Sequence, residues 1–568
     1  MADIKDTSEQ AAKKASFSHD EGEFDNQPNF VAEEIAYESN GIKGIVNSPF
    51  VCGAALLASF GGLSFGYDQG VISLILVIPQ FIDQFPQVDP DAPKYGFHTG
   101  FLTGMLELGA FVGCLFFPYL ADRISRKWGI SIATAFFCVG AIIQTAANEY
   151  DTLVAGRFIG GIGVGTLAMG APLYISEIAP PNLRGSLMVL EAISIVIGAV
   201  VAYWITYGTR YVLALAYLTR YFAHIFIASN RAVEGDWAFR LPFLLQMVPA
   251  LVVGIGIHLF PFSPRWLALR DRKTESLISL AQLRRLPPSD ETVQLEWRGI
   301  LTEVRFQREI MHNQYPDTGP AMLELKGWID LFRPRYLRRT AVAIAIPFFQ
   351  QFSGINAFVY YAPTFLSRLG QSYNTSLILS GLVNVVQLVA SIPTLVYLDK
   401  IGRRKLAIFG GIAMAIPHLI MAGIYERFSD KWTSHKGAGW FGVALIYIYV
   451  ACYAASYGPL AWVLPAEVFP SSRRAKGVGL ATATIWLANF IVGVVVPQML
   501  VSLGWGTFLF FGLFCVAAAT FSFFFVPETA NKSLEQVADV FGDTLNNTED
   551  EMQARIEREI WTETRNQS

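Results

Sequence analysis

The stretch Phe65-Gly-Tyr-Asp-Gln-Gly-Val-Ile-Ser73 lies inside a longer apolar run, FVCGAALLASFGGLSFGYDQGVISLILVIPQF, from Phe50 to Phe81. A helix crosses roughly 30 Å of hydrocarbon with about twenty apolar residues, so the run is long enough to span a membrane. Asp68 is then a carboxylate at membrane depth. Such a group is costly there, and it usually faces a cavity and has a partner.

The rest of the chain supports a spanning reading. Of 568 residues, 53% are apolar and only 16% are charged, well below the ~25% charge of an ordinary soluble domain. Apolar blocks recur at 50–79, 99–121, 128–147, 153–176, 187–207, 241–260, 340–366, 376–398, 405–425, 440–464, 477–500 and 507–526. The pattern predicts an all-α membrane protein of twelve transmembrane helices. The net charge of −3 and the lack of a basic tract argue against a nucleic-acid partner. Cys52, Cys114, Cys138, Cys452 and Cys515 fall in or beside apolar runs without disulfide or metal spacing, so they read as small buried hydrophobes. No signal peptide is expected, because the first forty residues are polar and acidic.

Organisation follows from charge. Residues 1–47 read as a disordered cytosolic tail, and 528–568 as a short polar cytosolic one. Between them lie a first six-helix unit (48–262), a polar linker (263–339) and a second unit (340–527). The linker strings TESLISLAQLRRL and TVQLEWRGILTEVRFQREIMHNQ have helical apolar spacing with many charges, which predicts cytosolic helices on the membrane surface. The basic loops DRISRK (122–127), Arg184, the Arg265–Arg339 region, DKIGRRK (399–405) and SSRRAK (471–476) all fall on one side of a twelve-span chain. The positive-inside rule makes that side cytosolic, with both termini. The apolar segment Val212–Asn230 would invert every later loop if it crossed. It reads either as an outer-face insertion, an interfacial helix carrying Arg220 and His224, or as a translated intron.

A repeat links the two units. Asp122-Arg-x-x-Arg126-Lys recurs as Asp399-Lys-x-x-Arg403-Arg, and Glu177-x-x-Pro-x-x-x-Arg184 recurs as Glu467-x-x-Pro-x-x-x-Arg474. Each follows the second or fourth span of its unit. Duplicated bundles with a central site are a transporter design.

At these residues, and in GRFIGGIGVG, PLYISEIAPPNLRG, SPRWL, QQFSGINAFVYYAP, YGPLAWVLPAEVFP and VPET, the chain resembles the sugar porter family of the major facilitator superfamily, and most of all its fungal monosaccharide transporters. The match runs from about Phe50 to Glu535. The sequence departs from the family pattern at Pro118 and Ser125 in the first basic loop, at Phe262, and at Ala530-Asn531-Lys532 after PET. The resemblance implies two pseudo-symmetric six-helix bundles (the major facilitator fold), no cofactor, and alternating-access transport of a monosaccharide, a hexose first, by a monomer in the plasma membrane.

It also implies roles. Asp68 and Arg157 would pair and couple protons to sugar. Gln350, Gln351, Asn356, Asn384 and Asn489 would hydrogen-bond hydroxyls, Trp462 would stack on a sugar ring, and Tyr360 and Tyr361 would gate the outer side. Asp122 with Arg126, Glu177 with Arg184, Asp399 with Arg403 and Glu467 with Arg474 would tie the halves together on the cytosolic side when the carrier faces outward. The residues alone agree in part. Asp68 and Arg157 have compatible depths, and amides suit hydroxyls because they both donate and accept. On a straight helix, at about 100° per residue, Gln350 and Asn356 point about 240° apart, so a break near Ser353-Gly354 is needed. Glu107 is a second intramembrane acid at similar depth. It either shares Arg157, binds a proton, or bonds between helices as the neutral acid. Where the family carries a sugar-binding Gln, this chain has Ala192 beside Glu191, which leaves the sugar open and offers a pair with a gate arginine as the plainer role of Glu191.

Proton symport competes with uncoupled facilitation and with a non-transporting sensor; the short C-terminal tail argues against the sensor. A copy disabled by the inserted segment also stays open. No phosphate-binding motif, nucleophile–base set or metal spacing suggests an enzyme. Asn374-Thr-Ser and Asn546 are glycosylation sequons by pattern only, the second on the cytosolic side.

Overall fold

The computed structural model describes residues 49–565 apart from 181–183, 211–235, 317, 430, 471–472, 531–536, 538–540 and 542–545. The inserted segment Val212–Asn230 and the N-terminal tail therefore lie outside the described residues. So do the side chains of Arg184 and Asp399.

Among the described residues, twelve helical stretches are long and apolar enough to cross a membrane. The first half comprises α1 (Pro49–Ile75), a short α2 (Pro79–Gln84), α3 (Tyr95–Arg123), α4 (Arg126–Ala146), α5 (Tyr150–Ile178), α6 (Arg184–Thr209), and the pair α7 (Trp237–Leu245) and α8 (Met247–Gly256). Four helices follow between the halves: α9 (Pro264–Leu269), α10 (Lys273–Arg284), α11 (Glu291–Gln314) and α12 (Pro320–Asp330). The second half holds α13 (Pro334–Phe352), α14 (Ile355–Arg368), α15 (Tyr373–Ile401), α16 (Arg403–Phe428), α17 (Lys436–Ala454), α18 (Tyr457–Val468), α19 (Arg474–Ser502) and α20 (Gly506–Phe525). A last helix, α21, covers Asn546–Arg565. The first span ends at Ile75, four residues short of the boundary read from hydropathy, because Pro79 opens α2.

In lipid, helices associate by close packing rather than by hydrophobic burial, so small residues mark the seams. On α1, Gly62, Gly66 and Gly70 recur every fourth residue against Glu191, Ile195 and Ala199 of α6. A Cβ at Gly66 would fall 1.7 Å from the Ile195 carbonyl oxygen, so only glycine fits. This seam sets which way the rest of α1 faces. Asp68, between Gly66 and Gly70, is turned toward α5.

Two spans of the second half are broken. Between α13 and α14, Gly354 takes φ +98°, a left-handed conformation suited to glycine. The Ser353 carbonyl freed there accepts from the Tyr449 hydroxyl at 2.9 Å and from His418 Nε2 at 3.0 Å. Broken backbone at this depth survives because buried protein groups satisfy it. The tenth span breaks similarly between α17 and α18, at Ala455–Ser456.

The two halves close on each other at the end remote from the linker. The Tyr203 hydroxyl donates to the Leu377 carbonyl at 2.7 Å, and that of Tyr373 to Val77 at 2.9 Å. Arg210 donates to the Asn374 side chain at 3.0 Å. Gly100 of α3 meets Val494 of α19, with a Cβ position 2.1 Å from the Val494 carbonyl oxygen.

The C-terminal tail is more than a polar extension. Met552, Ile556 and Ile560 recur every fourth residue, and α21 lays them on the linker core of Leu280, Val293, Trp297 and Leu301. Arg305 pairs with Glu559 at 2.7 Å and Glu563 at 2.9 Å, and Arg298 lies over the Trp561 ring. The hydrogen bond from Arg305 holds the Glu563 carboxyl below its ordinary value. Its contribution to docking is therefore present above the usual glutamate range and fades as pH falls through the lowered value. Replacing Ile556 and Ile560 together by Asp is expected to free α21. Limited proteolysis should then cut between the last span and α21 while the membrane core stays intact; an uncut tail would mean the ion pairs alone hold it.

Candidate functional site

Arg157 and Asp68 meet in the interior of the first half. Arg157 Nη1 lies 3.0 Å from Asp68 Oδ1 and 3.1 Å from Oδ2, and the side chains are 1% and 0% exposed. The remaining guanidinium nitrogens donate to the carbonyls of Leu102 and Thr103, at 3.4 and 3.5 Å. Arg157 thus ties α5 to both α1 and α3. A buried pair of this kind is held by mutual compensation, since removing one partner strands the other charge.

Glu107 does not join Arg157. Its carboxylate Oε1 accepts a hydrogen bond from the Tyr360 hydroxyl of α14, across the boundary between the halves. Tyr360 Oη in turn accepts from Asn489 Nδ2 at 2.9 Å and Gln69 Nε2 at 3.1 Å. Tyr361, at a kink with φ −121° and ψ 19°, donates to the Gly493 carbonyl at 2.7 Å. Gln69 was legible as a candidate: it is an uncharged amide beside Asp68 in the same span, and the reading from sequence passed over it.

The break after α13 brings the seventh-span amides together. Asn356 Nδ2 donates to Gln351 Oε1 at 2.6 Å, and Gln351 Nε2 to Gln350 Oε1 at 3.1 Å. Gln350 Nε2 reaches the carbonyls of Tyr457 and Gly458 at 3.3 and 3.2 Å, at the start of α18. Gln350 is therefore committed to backbone, and Gln351 and Asn356 are the members nearest the free end of the chain of amides. Asn384 Oδ1 and Asn489 Oδ1 are buried acceptors with no donor among the described residues. Trp462 is half-buried on α18. Gln351→Ala is expected to remove the acceptor that orients Asn356. Transport KM should rise about tenfold, the loss of roughly one good hydrogen bond, with kcat less affected. An unchanged KM would take Gln351 out of substrate binding.

Glu191 is 6% exposed, and its Cγ passes against Gly62 on the α1–α6 seam. No partner for it occurs among the described residues, so the plainer reading, a pair with a gate arginine, is not seen there.

At the linker end, Arg126 bridges Asp122 and Glu177, each at 2.8 Å. The equivalent Arg403 pairs with Glu467 at 2.7 Å. Glu467 also accepts from Thr529 at 2.6 Å, and Glu528 caps the Arg403 backbone N–H at 2.7 Å, so the VPET string seals this pair. Each of these pairs lies within one half. Asp330 and Glu324 of α12 instead join the linker to the second half, through Arg473 at 3.0 Å and Lys476 at 3.2 Å. Arg474 is half-buried.

Twelve spans, two halves that close at one end around buried amides, and a buried Asp–Arg pair define a membrane carrier for a polar solute. The profile of the family described as "Sugar (and other) transporter" matches residues 54–541. The chain belongs to that family and is a sugar transporter of the major facilitator type. It is 32% identical over 527 residues to the "High-affinity glucose transporter" of Kluyveromyces lactis, covering 90% of this chain and 89% of the relative. It is 30% identical over 519 residues to "MFS glucose transporter mfs1" of Aspergillus flavus, covering 89% and 91%. Among solved structures it resembles the partially occluded inward-open xylose transporter XylE of E. coli, with TM-score 0.66, 25% identity, and coverage of 86% of this chain and all of that one. XylE described as a proton:xylose symporter bound to 6-bromo-6-deoxy-D-glucose gives TM-score 0.65 and 27% identity, over 87% of this chain.

Proposed function

We propose that the protein carries a monosaccharide, a hexose such as glucose, across the plasma membrane by alternating access, with both termini cytosolic and a proton moving with each sugar. The observation that carries this reading is the fully buried pair in which Arg157 Nη1 reaches both carboxylate oxygens of Asp68. While the pair holds, Asp68 stays ionised. When the helices rock and Arg157 withdraws, the same carboxylate sits desolvated and takes a proton. A motion that makes and breaks the pair thus changes proton affinity on alternate sides.

In this mechanism Gln351, Asn356, Asn384 and Asn489 hold the sugar hydroxyls, and Gln350 positions them from behind. Trp462 covers the apolar ring face, and Tyr360 and Tyr361 move with α14 to open the outer side. Asp122, Arg126, Glu177 and Arg184, with their repeats Asp399, Arg403, Glu467 and Arg474, exchange partners between halves when the cytosolic side closes. The names of the fungal relatives support glucose, and that of XylE supports proton coupling.

The test is uptake of labelled glucose and xylose into proteoliposomes under an imposed inward proton gradient, with and without a protonophore. Accumulation above the outside concentration that the protonophore collapses supports the reading. Uptake that only equilibrates makes the protein a facilitator, and sugar binding without flux makes it a sensor.

A further inference from the structure

The Tyr360 hydroxyl joins four membrane helices through a single atom. It has one proton and two lone pairs. Asn489 of α19 and Gln69 of α1 donate to the lone pairs, and the proton goes to Glu107 of α3. Both Tyr360 and Glu107 are buried, and the second carboxylate oxygen, Glu107 Oε2, has no donor among the described residues. This count works with Glu107 as an acceptor. A carboxylate accepts about twice as strongly as a neutral group. A proton on Glu107 would remove that charge assistance.

The neighbouring charges largely cancel at Glu107: Arg157 favours its ionised form and Asp68 opposes it. Asp68 from α1 and Arg157 from α5 are spent on each other. The remaining groups facing it are uncharged: Tyr360 and Tyr361 from α14, Asn489 from α19, Gln69 from α1 and Thr103 on its own helix. Ionised Glu107 therefore finds its compensation in Tyr360, which belongs to the other half.

We propose that Glu107 is a proton-sensitive latch for the outer gate. Ionised, it holds α14 against the first half through Tyr360 and keeps the outer end closed; protonated from outside, it releases Tyr360 and lets α14 swing away. The proposal rests on the symport reading above, in which Asp68 carries the coupled proton. It adds a second carboxyl whose proton sets when the gate opens rather than how far sugar accumulates. Gln69 and Asn489 set the geometry by filling the other two positions on the hydroxyl.

The test reads gate opening directly. In a background with the five cysteines replaced by alanine, Val494→Cys places a thiol where α19 closes on α3. A membrane-impermeant maleimide added outside then reports opening. Labelling is expected to quicken about tenfold between about pH 9 and about pH 6, the worth of charge assistance on one hydrogen bond. With Glu107→Gln or Tyr360→Phe the rate should be high and flat with pH. With Asp68→Asn the pH slope should persist, which separates the latch from the coupling site. The proposal is overturned if the parent protein labels without pH dependence, or if Tyr360→Phe keeps the parent slope. Tyr360→Phe alone decides the matter if Glu107→Gln does not fold. Loss of concentrative uptake with the slope intact would sink the symport reading and leave the latch standing.

Discussion

Asp68→Asn should reduce accumulation of sugar to about unity while leaving exchange of labelled for unlabelled sugar in place. The size of the effect follows from the driving force. One proton moving down ~100 mV supplies about 2.3 kcal/mol, and each pH unit about 1.4 kcal/mol, enough for a gradient on the order of several hundredfold. Asparagine leaves the Arg157 charge without its counter-ion but keeps an acceptor for it at nearly the same place, so the hydrogen bonds that join α1, α3 and α5 can persist. What it lacks is the group that titrates. Asp68→Ala and Arg157→Ala are harsher. Each strands a buried charge or leaves its hydrogen-bonding groups empty, at a cost of roughly 3–5 kcal/mol, and should appear first as lost protein. The diagnostic comparison is accumulation against counterflow for Asp68→Asn in one preparation. Accumulation equal to wild type would make the pair a static brace and the proposed coupling wrong.

Gly66→Ala and Gly100→Ala should fail in different ways, although each places a methyl against a backbone carbonyl. Gly66 faces Ile195 inside the first half, and that seam has no reason to open during transport. Overpacking a fixed interface typically costs about 1–3 kcal/mol, and more where the obstacle is backbone. Gly66→Ala should therefore lower folded protein and its melting temperature. Gly100 faces Val494 across the two halves. Alanine there opposes only the arrangement closed at the outer end, and a carrier that cannot close that end cannot complete its cycle. Uptake should drop at least about tenfold, the effect of 1.4 kcal/mol on one step, with abundance near normal. Outside labelling of Val494→Cys should be fast in the same chain. Normal uptake by Gly100→Ala would mean the α3–α19 contact does not tighten during transport.

The mechanistic weight falls on the seventh span, and its break shows how the site is made. Hydropathy reads 340–366 as one apolar run, whereas the chain forms two helices with Gly354 between them. The break turns Asn356 toward Gln351, which a straight helix would not do. It also makes α14, which carries Tyr360, a helix separate from α13. His418 and Tyr449 stabilise the break by taking the stranded Ser353 carbonyl. Neither residue stands out in the sequence, because a buried histidine near aromatics looks like ordinary packing.

Sequence by itself determined the spans, their number, the duplicated halves and the presence of an acid at membrane depth. These follow from composition over some twenty residues and from charge in short loops, and both signals are local. The Gly62, Gly66 and Gly70 spacing was also there to be read as a seam. The basic-loop motifs announced ion pairs, yet not that Arg126 would take Glu177 and Arg403 would take Glu467 within one half. The sequence also placed Asp68, Arg157 and Glu107 at compatible depths without saying which would touch. Depth is one coordinate, whereas pairing depends on rotation about each helix axis and on which helices become neighbours. The tertiary packing decided both. The α1–α6 glycine seam turns Asp68 toward Arg157, and closure of the two halves delivers Tyr360 to Glu107.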